Sequence, residues 1–106
     1  MACNCSEGYY IGSDLKFAID IKAKGFDMAT DDFDIELRCG SVCQKVTEEE
    51  ITFDSEGQCY LLVDTTKFPE GILKMKVTAH VPDDDFPSHR RREVGYLDLC
   101  RIIHHG

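Results

Sequence analysis

"ILKMKVTAHVPDDDFPSHRRREV", residues 72–94, decides the fold. Its first ten residues alternate. Leu73, Met75, Val77, Ala79 and Val81 fall on one side, and Lys74, Lys76, Thr78 and His80 on the other. That period of two belongs to a strand with one face in a core, because successive Cβ atoms point to opposite faces of a sheet. The alternation then breaks at Pro82 and Pro87, with Asp83, Asp84 and Asp85 between them and Arg90, Arg91 and Arg92 after. Proline cannot donate to a ladder, so residues 79–94 are expected to form an inter-strand loop rather than a central strand. Its charges suit a catalytic acid cluster, a metal site, a nucleic-acid patch or a contact loop. The rest of the chain favours the contact loop.

Working outward, the same signal recurs. Residues 15–22, "LKFAIDIK", set Phe17, Ile19 and Ile21 against Lys16, Asp20 and Lys22. Residues 33–39, "FDIELRC", set Phe33, Ile35, Leu37 and Cys39 against Asp34, Glu36 and Arg38. "GS" then turns into "VCQKV", a hairpin. "QCYLLVDT", 58–65, reads as a central strand holding Leu61 and Val63, and "EVGYLDLCRII", 93–103, as the last, with Gly95 marking a bulge. "KGFDMATDD", "DSEG" and "TKFPEG" are turns, and "TEEE", 47–50, is at most one helical turn. No run of ten residues keeps helical period. Six or seven short strands predict an all-β, antiparallel, immunoglobulin-like β-sandwich. The tryptophan typical of antibody domains is missing, and a small closed barrel is the alternative. The chain divides into an N-terminal arm (1–13), one β-sandwich domain (14–103) and a short end (104–106). The expected core is Phe17, Ile19, Ile21, Phe33, Ile35, Leu37, Leu61, Val63, Met75, Val77 and Ala79.

A length of 106 residues bounds this to one domain. The net charge of −8 opposes general nucleic-acid binding, which calls for a basic face. No window approaches the roughly 18 apolar residues of a membrane span. "MACNCSEGYY" has no basic residue before an apolar run, so it does not read as a secretory signal. Without an oxidising compartment, Cys39, Cys59 and Cys100 are expected to be buried free thiols. Cys43 is expected to be inert. Cys3 and Cys5 lack a second ligand pair at zinc-finger spacing, so no metal is assigned to them.

The chemistry-bearing residues form no catalytic set. His80, His89, His104 and His105 lie in no G-x-S-x-G or H-E-x-x-H constellation. Asp83, Asp84 and Asp85 lack the spacing of a calcium loop and read as a solvated turn. Arg90, Arg91 and Arg92 are expected to form ion pairs, either with those aspartates or across to a neighbouring subunit, with Arg91 facing opposite to Arg90 and Arg92. Phe86 is expected to tuck onto the core or fill a partner's pocket. The expectation is a protein without enzymatic activity or cofactor.

The runs "DLKFAIDIKAKGFDMATDDFDIELRCG", "YLLVDTTKFPEGILKMKVTAHVPDDDFP" and "RREVGYLDLCRI" cover nearly the whole chain. Together they resemble a small β-module found in virion proteins of tailed phages of gut bacteria, including the crAss-like phages. They are also similar in layout to the N-terminal attachment domain of phage baseplate upper proteins. "VDTTKFPEG" and "VPDDDFP" are the most specific parts of the resemblance. It implies a structural component of a bacteriophage virion, assembled in the host cytoplasm. Such a component binds other virion proteins and copies of itself, with no nucleic acid or membrane partner. Because the chain stops at Gly106, a short adaptor, decoration or joining subunit is expected rather than a long fibre. The contact residues would be Asp83, Asp84, Asp85, Phe86, Arg90, Arg91 and Arg92. Two other readings stay open. One is a host-surface carbohydrate- or calcium-binding β-sandwich using Tyr9, Tyr10 and Phe86 as loop aromatics. The other is an inhibitor or regulator.

Overall fold

Each alternating run becomes a strand. The computed structural model describes residues 8–104 and contains β1 (Gly8–Tyr10), β2 (Asp14–Ile19), β3 (Phe33–Cys39), β4 (Val42–Lys45), β5 (Ile51–Phe53), β6 (Cys59–Asp64), β7 (Gly71–Pro82) and β8 (Arg90–Ile103). Among the described residues there is no α-helix, only two short 3-10 turns, at Glu48–Glu50 and Thr65–Lys67. The chain is therefore all-β. One sheet has five strands in the order β1-β8-β7-β3-β4, and the other has three in the order β2-β6-β5. Pairing is antiparallel except that β1 runs parallel to β8. Eight strands replace the six or seven expected. The extra one lies in the stretch read as an arm: Tyr9 sits opposite Ile102 and packs against the core, while Tyr10 is exposed.

The two sheets share one hydrophobic cluster. Leu15 and Ile19 of β2 and Leu61 and Val63 of β6 meet Ile35, Leu37, Leu73, Met75 and Ile102 of the larger sheet. Burying each such side chain contributes about 1.5–3 kcal/mol. Of the expected core, Ile19, Ile35, Leu37, Leu61, Val63, Met75 and Ala79 are buried. Phe17, Ile21, Phe33 and Val77 are only partly covered and pack against the buried cluster from its margin. Phe68, read as part of a turn, is buried instead.

The turns are held by their own side chains. The Asp54 carboxylate accepts from the N–H groups of Glu56 and Gln58, each at 2.9 Å. Asp64 accepts from the Thr66 N–H at 3.0 Å and its hydroxyl at 2.6 Å. Gly40 takes φ 58° in the two-residue link between β3 and β4, where a side chain would strain the backbone. Cys39 and Cys59 are buried free thiols, Cys43 is exposed and Cys100 is buried. Cys3, Cys5 and His105 lie outside the described residues.

Two expectations about the long hairpin, the loop over 79–94 and the bulge at Gly95, are corrected. The loop is shorter than read. β7 continues through Pro82 and β8 begins at Arg90, so Arg90, Arg91 and Arg92 are strand residues opposite Pro82, Val81 and His80. Pro82 is tolerated because the β3 ladder ends at Phe33 opposite Ala79, so its missing N–H has no strand to serve. The bulge is not at Gly95, which pairs regularly with Val77. It lies where Leu73 pairs with Cys100 but Lys74 with Asp98, leaving Leu99 as the extra residue.

Candidate contact surface on the long hairpin

β7 and β8, at 12 and 14 residues, are at least twice the length of β2 and β6, at 6 each. At about 3.3 Å per residue the hairpin outruns the smaller sheet, and the loop between β2 and β3 covers its distal inner face, where Ala79 and Val81 are buried and Gly25 lies against Val81. The tip, residues 83–89, is tightly bonded. The Asp83 N–H donates to the His89 carbonyl at 2.9 Å, and the His89 N–H to the Phe86 carbonyl at 2.8 Å. The Asp85 N–H donates to the Asp83 carboxylate at 3.0 Å. His89 takes φ 61°, an uncommon conformation for a residue with a Cβ. This geometry leaves Phe86 45% exposed at the apex. The core, one of the two places expected for Phe86, therefore does not take up the ring.

The arginines take different partners, as alternation along a strand requires. Arg91 turns inward. Its Nη1 donates to Asp83 Oδ2 at 3.0 Å, its Nη2 meets Glu93 Oε2 at 2.8 Å, and Nη2 also donates to the Lys24 carbonyl at 2.7 Å. Arg90 lies on the opposite face, 3.4 Å from Asp32, and Arg92 makes no ion pair among the described residues. Asp84 stands 3.4 Å from His89 at the surface. The Asp85 side chain is exposed. Hydrogen bonds to its carboxylate, first from the Asp85 N–H and then from Arg91, hold Asp83 below the ordinary carboxylate range.

Sequence reasoning missed a neighbour of this surface. His80 Nε2 lies 2.8 Å from Asp34 Oδ2, and both line an open cleft of about 540 Å³ with Asp32 and Arg90. The signal was present, since Asp34 and His80 occupy outward positions of two alternating runs, but only the pairing of β3 with β7 brings those runs together. A general base needs a nucleophile within reach. No serine, threonine or cysteine side chain bonds His80 among the described residues. No cluster of three metal-ligating side chains forms among the described residues either. Burial raises the Cys39 and Cys59 thiols, which opposes thiolate chemistry. His104 is exposed at the end of β8, remote in sequence from the tip. Set against known proteins, the chain matches no family model, no curated protein and no solved structure.

Proposed function

We propose that this protein is a non-enzymatic structural component of a bacteriophage virion. In this reading it is a small adaptor, decoration or fibre-anchoring subunit of head or tail. The two sheets are read as an immunoglobulin-like sandwich extended by a long hairpin. The observation that supports a contact role is the exposed Phe86 ring, at the apex of a rigidly bonded tip and flanked by Asp84, Asp85 and His89. An apolar anchor inside a polar rim is the usual anatomy of a protein-binding hot spot. The tip is pre-ordered, so docking it costs little conformational entropy. The partners are other virion proteins and further copies of the chain.

Mass spectrometry of purified virions, from a phage carrying this gene, tests the reading. Stoichiometric amounts of the protein are expected, and its absence from intact particles overturns the proposal. A Phe86→Ser variant should fold as the wild type does and be lost from particles. Wild-type incorporation of that variant would remove the tip from the interface. The competing reading, a sugar- or calcium-binding sandwich, instead requires a calcium-dependent rise in Tm or glycan binding by the isolated protein.

A further inference from the structure

β4 leaves β3 before β3 has begun its own run. Their register stops at Glu36 opposite Lys45, and one further bond follows, from the Val46 N–H to the Ile35 carbonyl at 2.9 Å. The chain then turns through Glu48–Glu50 into β5. On the other side of β3, the His80 N–H donates to the Asp32 carbonyl at 2.9 Å. Asp32 and Asp34 therefore turn their backbone groups to β7, and Phe33 turns its own away from it. Among the described residues nothing bonds the Phe33 N–H or carbonyl on that side. Both groups open on the cleft of about 540 Å³ that holds the His80–Asp34 pair. Unpaired strand groups of this kind accept an extended segment.

Phe33 lies beyond the reach of residues 1–7. It stands opposite Ala79, and Ala79 opposite Glu93, whereas Gly8 stands opposite Arg101 on the far side of β8. At about 3.3 Å per residue and about 4.8 Å per strand, Phe33 is about 30 Å from Gly8. A seven-residue stretch spans at most about 25 Å. Residues 105 and 106 follow β8 at the same end as Gly8.

The two faces of the cleft differ. On the outer face Asp32 and Asp34 stand in one row with Glu36, and Asp31 and Glu48 add to the rim. Arg90 supplies a full positive charge, 3.4 Å from Asp32 in an exposed contact. His80 takes one oxygen of Asp34 at 2.8 Å and leaves the other. On the inner face Phe33 shares the cleft with Ile51 and Phe53, and Phe53 is 46% exposed.

We propose that this cleft accepts an extended segment of another protein, added antiparallel to β3 beside Phe33, with the pattern basic–apolar–basic. The middle residue stands opposite Phe33. Its N–H donates to the Phe33 carbonyl, and its carbonyl accepts from the Phe33 N–H. Its side chain points inward with that of Phe33, onto Ile51 and Phe53. The residues on either side point outward, as alternation requires, and stand opposite Asp32 and Asp34. Lysine or arginine there continues the row that Lys45 begins against Glu36. An acidic segment would instead meet the carboxylates of Asp31, Asp32, Asp34 and Glu48, which selects against it. Because Phe33 alone offers both backbone groups, the contact is short and the charges set its selectivity.

The inference does not rest on the virion reading, because its test uses the purified full chain and a synthetic peptide. The probe is the end-blocked peptide Thr-Lys-Ile-Lys-Thr, followed through the backbone amide resonances of isotope-labelled protein. Saturable shifts at Phe33, Asp34 and His80 are expected, weakening with added salt. Thr-Glu-Ile-Glu-Thr should leave these resonances in place. Methylating the isoleucine nitrogen removes the donor to the Phe33 carbonyl and should weaken binding on the order of tenfold. Asp32→Asn combined with Asp34→Asn should weaken it by a similar factor, with circular dichroism checking the fold. Phe33 unmoved at the highest peptide concentration overturns the proposal. So does equal binding of the acidic or the methylated peptide, or a folded double variant that binds as the wild type does. Shifts at the same residues on concentrating the protein alone would give the cleft to a second copy and overturn the choice of partner.

Discussion

Arg91 and Asp83 lock the base of the hairpin tip, with Nη1 3.0 Å from Oδ2 and both side chains largely covered by the fold. Arg91 also ties down Glu93 and the Lys24 carbonyl, so one guanidinium joins β8, the tip and the loop before β3. Its fork of donors suits this in a way that an ammonium does not. Arg90, by contrast, has a single exposed contact at 3.4 Å, of the kind that contributes little. Arg91→Lys is expected to lower Tm and Arg90→Lys to leave it nearly unchanged. Thermal denaturation at moderate salt separates the two. Equal losses would show that the clasp is not special.

Acid should unfold the protein through identifiable carboxylates. Asp83 is held low by the Asp85 N–H and then by Arg91, Asp54 chiefly by the Gln58 N–H, and Asp64 by the Thr66 hydroxyl and N–H. In each case the folded value lies below the unfolded one. The stabilisation is therefore fully present above the ordinary carboxylate value of about 4 and is lost as pH falls through the lower folded value. Tm should be level from neutral pH to about pH 5 and fall below about pH 4. Replacing the three aspartates by asparagine should lower Tm at neutral pH and flatten the acid limb. An unchanged limb would place the acid sensitivity elsewhere.

Facing along β6 gives a sharp contrast between neighbours. Leu61 is wholly buried between the sheets and Leu62 points outward. Leu61→Ala should cost about 2–5 kcal/mol, through lost transfer energy and the cavity left behind. Leu62→Ala should stay within about 0.5 kcal/mol of wild type. Urea denaturation reads both values, and a reversed order would mean that the strand faces the other way.

Thr65 is the buried polar side chain of the core. Its hydroxyl donates to the Ser13 carbonyl at 2.8 Å and accepts from the Gly12 N–H at 2.9 Å, pinning the link between β1 and β2 onto the turn after β6. Thr65→Val keeps the shape but strands the Gly12 N–H, while the Ser13 carbonyl keeps the Thr65 N–H at 3.3 Å. The expected cost is about 1–3 kcal/mol. Faster hydrogen exchange at Gly12 would locate the damage, and unaltered exchange there would disprove the link.

Thiol reactivity should follow burial. With Cys3 and Cys5 replaced by serine, Cys43 should react with an aromatic disulfide reagent in the folded protein. Cys39 and Cys59, raised by burial, should react only on unfolding. Rapid labelling of either buried thiol in the native state would contradict the packing.

The strands were legible because a half-buried strand writes its period into adjacent residues. Ile35 and Leu37 are buried, and Asp34 and Arg38 exposed, as alternation required. Turn chemistry was legible for the same local reason: "DSEG" is held by its own aspartate. The candidate site was only half legible. Opposite charges around Phe86 could be read from the chain, but the choice of Asp83 for Arg91 and Asp32 for Arg90 depended on which loops approach the hairpin. The bulge was misplaced because a bulge belongs to two strands. Gly95 looked like one by composition, while the count of residues opposite Leu73 and Lys74 put it at Leu99.

By itself the sequence determined an all-β chain, the inward faces of its strands and most of the core, since each follows from backbone periodicity and side-chain hydrophobicity over a few residues. Only the tertiary structure decided the division into sheets of five and three strands, the parallel docking of Gly8, Tyr9 and Tyr10 on β8, and the extension of the hairpin through Pro82 and Arg90. Those outcomes depend on which strand edges meet across long stretches of chain. No local pattern encodes that meeting. It is set by how the buried faces of two sheets of unequal length close over one core, with the loop between β2 and β3 covering Ala79 and Val81 where the smaller sheet stops.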